Sequence, residues 1–396
     1  MEQVAPKILL AAPANPIPPT SQMIVEVARR DGVSPLRQMR EMWALRGGQN
    51  KLSLTEYYDL GVFAADMPLD VKKTFVGVQG NKQLNMRLSP MKITAIRSFT
   101  NDKVMYTSLL DRLGVATTHT QAVVHPYRAF GTLPVLRDVQ AITTYLKNEA
   151  VYPIFGKPCN GSRSVGSALI TECSGDMLRL GNGREADVAG FAQELIEDYP
   201  EGFIFQSAIQ QHPDLTKVAG PSIGTLRVVT LRDENGPKVL YSLWKIPSPS
   251  AMSDNFWQAG SMLAHVGAED GVVARCKRGT GLGAEWIDQH TTTEAPIVGV
   301  QVPMWDQVKQ LAMDAHMMFP EFGVFGWDIA LSDTGPLVVE CNDNPYHTLY
   351  QLATGDGIMN ESFMPQFDAA IACSNAMVKM RDDLMAQRIA DTKQSR

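Results

Sequence analysis

Residues 325–345 read FGWDIALSDTGPLVVECNDNP, and they place two acids where chemistry can begin. An apolar run at 327–331 is broken only by Asp328. Turn formers fill 332–336, and the run LVVE ends on Glu340. This pattern predicts a β-hairpin. Asp328 and Glu340 are symmetric about position 334, so they should face each other or nearly so, with Asn342 on the same face. Opposed like charges destabilise a sheet, so a cation is expected between them. Replacing either acid by its amide is then expected to relieve repulsion in the metal-free protein. Oxygen ligands without His or Cys suit Mg²⁺ or Mn²⁺. The plain alternative is an edge hairpin whose acids face water.

Four cations recur in telling places. Lys103 falls in the first turn of a helix that Asn101 or Asp102 would cap, ending at Gly114. Lys157 follows a short strand at 152–155 and opens a loop holding Asn160, Gly161, Ser162, Arg163, Ser164 and Gly166. Glycine lets backbone N–H groups approach an anion, and hydroxyls add donors. Such a loop covers phosphates or is simply a flexible hairpin; it is not a Walker A loop, since no GKS/T precedes a helix. Arg227 sits inside the strand-like run 222–232, where an arginine needs an anionic partner, and Lys245 sits in a similar run at 239–246.

The elements that must position these groups follow from the pattern. The first hundred residues read as an all-helical cap, with 21–42 split into two helices at Gly32 and Pro35. Ser53 and Glu56 form a capping-box pattern at the start of a helix over 52–63. Short strands are expected at 115–125 and 202–209. Asp187 is a candidate cap for a helix over 187–198. An amphipathic helix over 304–318 precedes the hairpin, and a helix over 368–389 closes the chain. The 202–209 strand runs into a polar connector carrying Gln206, Ile209 and His212.

Composition bounds the rest. The 396 residues are 44% hydrophobic, enough for two or three domains. A net charge of −6 argues against nucleic acid or an anionic membrane as partner. Five cysteines without a CxxC pair fit a reducing, cytoplasmic setting rather than a disulfide or zinc framework. The apolar run at 7–13 is too short for a signal peptide, and no run reaches the length of a membrane span.

In this order, Lys103, Lys157, the Ser/Gly loop, the Gln206 connector and Asp328/Glu340/Asn342 resemble an ATP-grasp protein, most closely the sugar-transfer-associated group. GTLRVVTL (224–231), SDNFWQAG (253–260) and the hairpin carry the resemblance most specifically, over about residues 95–350, and LSLTEYY (52–58) resembles that group's helical start. It implies an α+β fold: a helical region at 1–98, a first lobe at 99–205 with the phosphate-covering loop, and a second lobe at 206–396 with the metal site. It also implies that Lys103 and Lys157 bind the α/β-phosphates of ATP, and that the loop with Ser162, Ser164 and Gly166 closes over the β/γ-phosphates. Gln206 and Ile209 would hold adenine, with His212 toward the ribose. Asp328, Glu340 and Asn342 would bind Mg²⁺. Arg227, with Arg163 and Lys245, would stabilise the moving phosphoryl group. The chain departs from the family pattern at Gln206, Trp327, Lys245 and Ser261. The implied activity is a ligase that activates a carboxylate as an acyl phosphate and joins it to an amine or thiol. A small-molecule kinase on the same fold and a non-catalytic nucleotide sensor are the rival readings. Small-molecule carboxylate and nucleophile substrates are the expected partners, and a second copy of the chain is a candidate.

Overall fold

A computed structural model of the chain describes residues 7–9, 19–90, 99–160, 165–248, 251–254, 256–258 and 260–394. It has the expected α+β architecture, with two antiparallel-rich sheets that face one cavity.

The first sheet contains β1 (Thr120–Val124), β2 (Val135–Leu136), β3 (Ile154–Pro158), β4 (Ala168–Ser174), β5 (Met177–Leu180), β6 (Glu185–Asp187) and β7 (Phe203–Ser207). Their order is β2-β1-β7-β3-β4-β5-β6. Helices Val139–Asn148 and Val188–Asp198 cover it, burying Ile142, Leu146, Phe191 and Leu195 against Ile154, Ile170 and Phe205. Asp187 does cap the second of these helices, accepting from Gly190 N. Lys157 is not a residue that follows a strand: it lies inside β3, paired with Ile204 of β7. Gly156 beside it leaves room for the Phe203 ring, which a Cβ would meet at 2.6 Å.

The second sheet contains β8 (Thr225–Asp233), β9 (Gly236–Ile246), β10 (Met262–Val266), β11 (Val273–Arg278), β12 (Glu285–Ile287), β13 (Val324–Ser332) and β14 (Gly335–Asn342). Their order is β12-β11-β10-β9-β8-β13-β14, and each neighbouring pair is antiparallel. Strand alternation sends Leu226, Val228 and Trp244 to one face, where the helix Trp305–Met317 packs with Val308, Ala312 and Ala315. Val229, Leu231, Tyr241 and Leu243 point to the other face.

That other face is covered by the helices expected in the N-terminal region. Helices Thr20–Arg30, Pro35–Arg46, Leu54–Asp59 and Val78–Leu88 bury Val27, Leu45, Tyr57, Tyr58 and Leu84 in the same core as Val229, Tyr241 and Leu243. Amphipathic helices this short cannot stand alone, so the sheet face supplies their missing half. Ser53 and Glu56 form the expected capping box, but the helix stops at Asp59, before Gly61 in the left-handed region. The stretch expected as a strand at 115–119 makes one bridge, from Thr117 to Val338. Helices Thr348–Thr354 and Met364–Gln394 follow the hairpin, and the second crosses β8.

Candidate functional site

The hairpin places Asp328 opposite Glu340, but by a different route from simple symmetry. Its turn is tight: Ser332 pairs with Gly335 and Leu331 with Pro336. That register would set Asp328 against Val339. A β-bulge between Asp328 and Ile329 on the pairing ladder shifts it by one, and Asp328 then meets Glu340. The residue the bulge sets aside, Val339, turns its carbonyl to the cavity side, where it accepts from Lys157 Nζ at 3.4 Å and from the Tyr106 hydroxyl at 3.3 Å. Asn342 stands further along, paired with Gly326, whose carbonyl accepts from its amide at 3.4 Å.

The cations that answer these acids belong to the protein. Asp328 is 3% exposed, and both of its oxygens are taken. Arg227 donates from Nε to Oδ1 and from Nη2 to Oδ2 at 3.0 Å, and Lys245 Nζ donates to Oδ2 at 2.9 Å. The contact follows from register, since Arg227 is the cross-strand partner of Asp328 between β8 and β13. Lys245 is shared with Asp254 at 2.7 Å, and the Thr225 hydroxyl also donates to Asp254. Burial works against the Asp328 carboxylate. Arg227 first and Lys245 next outweigh it and hold the group well below the usual carboxylate range. Burial likewise disfavours the Lys245 ammonium, and Asp254 and Asp328 more than restore it. Arg227 and Lys245 thus bring positive charge to Asp328 from within the chain. Glu340 differs, being one-third exposed and lying 3.6 Å from Lys103 Nζ.

The cavity lies between the sheets. Lys103 and Lys157, each about nine-tenths buried, line it together with Asp254, Asp328 and Glu340. The helix Lys103–Arg112 delivers Lys103 from its first position, with Asp102 as the cap, accepting from Val104 N and Met105 N. Burial pushes the Lys157 ammonium down to about 8, the nearby Glu340 opposing. Apolar residues also line the cavity, among them Phe155, Leu169, Ile209, Ile223 and Met252. Gln206 reaches it from β7, its amide donating to Thr118 Oγ1 at 2.6 Å.

The remaining expected residues fall elsewhere. Arg227 and Lys245 do not line the cavity; they stand behind the wall made by Asp328 and Asp254. His212 does not line it either. Its ring caps the helix Pro213–Ala219, accepting from Asp214 N, because the Pro at the first helical position sets the chain to start there. Gly166 has φ +77° and sits where a Cβ would meet the Tyr199 hydroxyl at 2.3 Å, so its glycine is demanded by conformation and space. Ser162, Arg163 and Ser164 lie outside the described residues. Asp254, Thr118 and Thr225 were not singled out from sequence. Only Asp254 carried a signal, as the acid in SDNFWQAG.

The oxygen-only set suits a hard divalent cation. Glu340 offers it an accessible carboxylate, and Asp328 lines the same cavity with both oxygens already bonded within the chain. Among the described residues no three His, Cys, Asp or Glu side chains converge, and no helix is long and apolar enough to cross a membrane.

A family model described as sugar-transfer associated ATP-grasp matches residues 79–366. No curated protein matches. Among solved structures, the D-alanine–D-alanine ligase of Coxiella burnetii is similar, with 12% identity and a TM-score of 0.43, over 75% of this chain and 62% of that one. N5-carboxyaminoimidazole synthase from Aspergillus clavatus, in complex with ADP and 5-aminoimidazole ribonucleotide, aligns with 12% identity and a TM-score of 0.38, over 76% and 58%. The D-alanine–D-alanine ligase of Helicobacter pylori gives 11% and 0.38, over 69% and 61%. The chain thus spans under two thirds of the length of each of these relatives.

Proposed function

The chain belongs to the sugar-transfer associated ATP-grasp family, and from that premise we propose that it is an ADP-forming ligase that activates a carboxylate as an acyl phosphate and passes the acyl group to an amine or thiol. One observation carries the reaction class. Among the described residues no histidine lines the cavity, and each carboxylate there is ion-paired: Asp254 with Lys245, Asp328 with Arg227 and Lys245, Glu340 with Lys103. A hydroxyl acceptor needs a general base beside the γ-phosphate. A carboxylate needs none, because it attacks as the anion it already is.

In this reading the apolar lining with Ile209 and Met252 takes the adenine ring, with the Gln206 amide. Lys103 and Lys157 meet the phosphates, since both side chains line the cavity, beside Glu340 and the Val339 carbonyl. A carboxylate oxygen attacks the γ-phosphorus as the bond to ADP breaks. The nucleophile then displaces phosphate from the acyl carbon and gives up its proton. Positioning and charge stabilisation do the work. Mg²⁺ or Mn²⁺, held by Glu340 with Asn342 and Asp328, would neutralise the triphosphate. Arg227 and Lys245 serve the reaction by setting the charge of Asp328, and Arg163 belongs to the loop that would cover the γ-phosphate. The five free cysteines accord with a cytoplasmic setting.

Two outcomes test the proposal. With a carboxylic acid substrate and ATP but no amine, hydroxylamine will trap a hydroxamate in step with ADP release. A phosphomonoester accumulating in its place makes the protein a kinase. Lys157→Ala will raise the ATP dissociation constant about tenfold or more, the worth of one charge-assisted bond, as read by titration calorimetry. An unchanged constant removes Lys157 from the nucleotide site.

A further inference from the structure

The face of the second sheet that carries Asp328, Arg227 and Lys245 does not end at β9. The register runs Thr225 on β8, Lys245 on β9, Leu263 on β10, Lys277 on β11 and Trp286 on β12. Lys277 therefore lies in the same row as Lys245, two strands away, about 10 Å at the usual strand spacing. Arg275 is two residues before it on the same face.

Lys277 is unusual for a buried cation. It is 8% exposed, and among the described residues no carboxylate, carbonyl or hydroxyl bonds its ammonium. Its neighbours make the shortage worse. Lys277 Nζ lies 4.4 Å from the centre of the Trp286 ring, and the Arg275 guanidinium lies 4.3 Å from the same ring. Two cations share one indole. The nearby Glu285 is committed to Arg278, and Arg275 donates to the Thr354 carbonyl. Burial, with Arg275 adding to it, pushes the Lys277 ammonium down to about 8. Two other buried lysines have acids: Lys72 has Glu41, and Lys245 has Asp254 and Asp328. A ring face replaces only part of what a buried ammonium loses in water and counter-ions. The indole itself is half exposed, so the group is approachable.

We infer that Lys277, Arg275 and Trp286 form an anion subsite of the substrate, which takes a second carboxylate or phosphate on the sheet face that carries Asp328, about 10 Å along that face from Lys245. The substrate class is thus a dianionic acid, or an acceptor bearing its own anionic group. This inference rests on the ligase reading for the identity of the ligand, but the anion site can be tested without it.

The test is competitive acylation of the full chain by acetic anhydride, with each lysine's rate read by mass spectrometry. Inorganic phosphate and succinate are the probes, with and without Mg·ADP filling the cavity. Lys217, with 76% of its side chain exposed, is the internal reference. Either probe is expected to slow Lys277 at least fivefold relative to Lys217, and Trp286→Ala is expected to weaken that protection. Equal slowing of Lys277 and Lys217 overturns the proposal. Protection of Lys277 in a protein that never binds ADP upholds the anion site and removes the ligase reading. Once an acid substrate is in hand, Lys277→Met will lower the kcat/KM ratio of dicarboxylic over monocarboxylic acids at least tenfold. An unchanged ratio removes the subsite from the reaction even if the anion binds.

Discussion

Asp328→Asn will destabilise the metal-free protein by about 3–5 kcal/mol, the usual cost of removing one partner from a buried ion pair. The hairpin taken alone gives the opposite sign, because two opposed acids should repel and an amide should relieve them. The sign turns on what faces the carboxylate. Both Asp328 oxygens are bonded by Arg227 and Lys245, and all three groups are buried. The amide leaves Arg227 without its acid and leaves Lys245 with Asp254 alone. Glu340→Gln should change stability by roughly 1 kcal/mol or less, because Glu340 is a third exposed and its partner Lys103 is 3.6 Å away. Urea melts of the two variants in chelator decide the matter. If Asp328→Asn matches or exceeds the wild type, the Arg227–Asp328–Lys245 cluster does not hold in solution as described.

The second large effect is acid destabilisation by two buried histidines. His316 is wholly buried: Nε2 donates to the Phe322 carbonyl, and Nδ1 lies 2.8 Å from the Thr230 hydroxyl. His347 is held between the Tyr241 hydroxyl and Asn85 Oδ1, each at 2.9 Å. Burial, with Arg232 adding to it, lowers His316 to about 4 from 6.5. Burial and then Arg227 lower His347 to about 3. Both therefore stay neutral in the folded protein while the unfolded chain takes up protons. Their contribution is intact above the unfolded value of 6.5 and is lost progressively as pH falls toward the folded values. At about pH 5 each costs roughly 2 kcal/mol, about 4 kcal/mol together. Denaturant melts at about pH 7.5 and about pH 5 should show this loss. Equal midpoints at the two would mean that both rings protonate freely in the native state.

Local chemistry made much of this molecule legible. The Ser53/Glu56 capping box, the Asp102 and Asp187 caps, the break at Pro35 and the period-two alternation of β8 and β9 are decided within a few residues, by propensity and side-chain period. The opposition of Asp328 and Glu340 was readable too, although it depends on a tight turn compensated by a bulge, and symmetry counting cannot separate that from a looser turn without one.

What the sequence could not reveal depends on which distant strand lies alongside which. Arg227 pairs with Asp328 because β8 neighbours β13, and Lys245 reaches both Asp328 and Asp254 because β9 neighbours β8. Those neighbours make Arg227 and Lys245 counter-ions of the hairpin acid. The same order gives Lys277 its place beyond Lys245, and it gives the N-terminal helices an apolar face to bury. The place of His212 depends on the fold for a related reason: a ring in a polar connector can face a ligand or its own helix start, and the path of the backbone at Pro213 sets it at the helix start. Residue type and spacing thus determined which groups could do chemistry on this chain. Strand order decided which charges meet, because pairing energy between residues far apart in sequence is set by the fold that closes the distance between them.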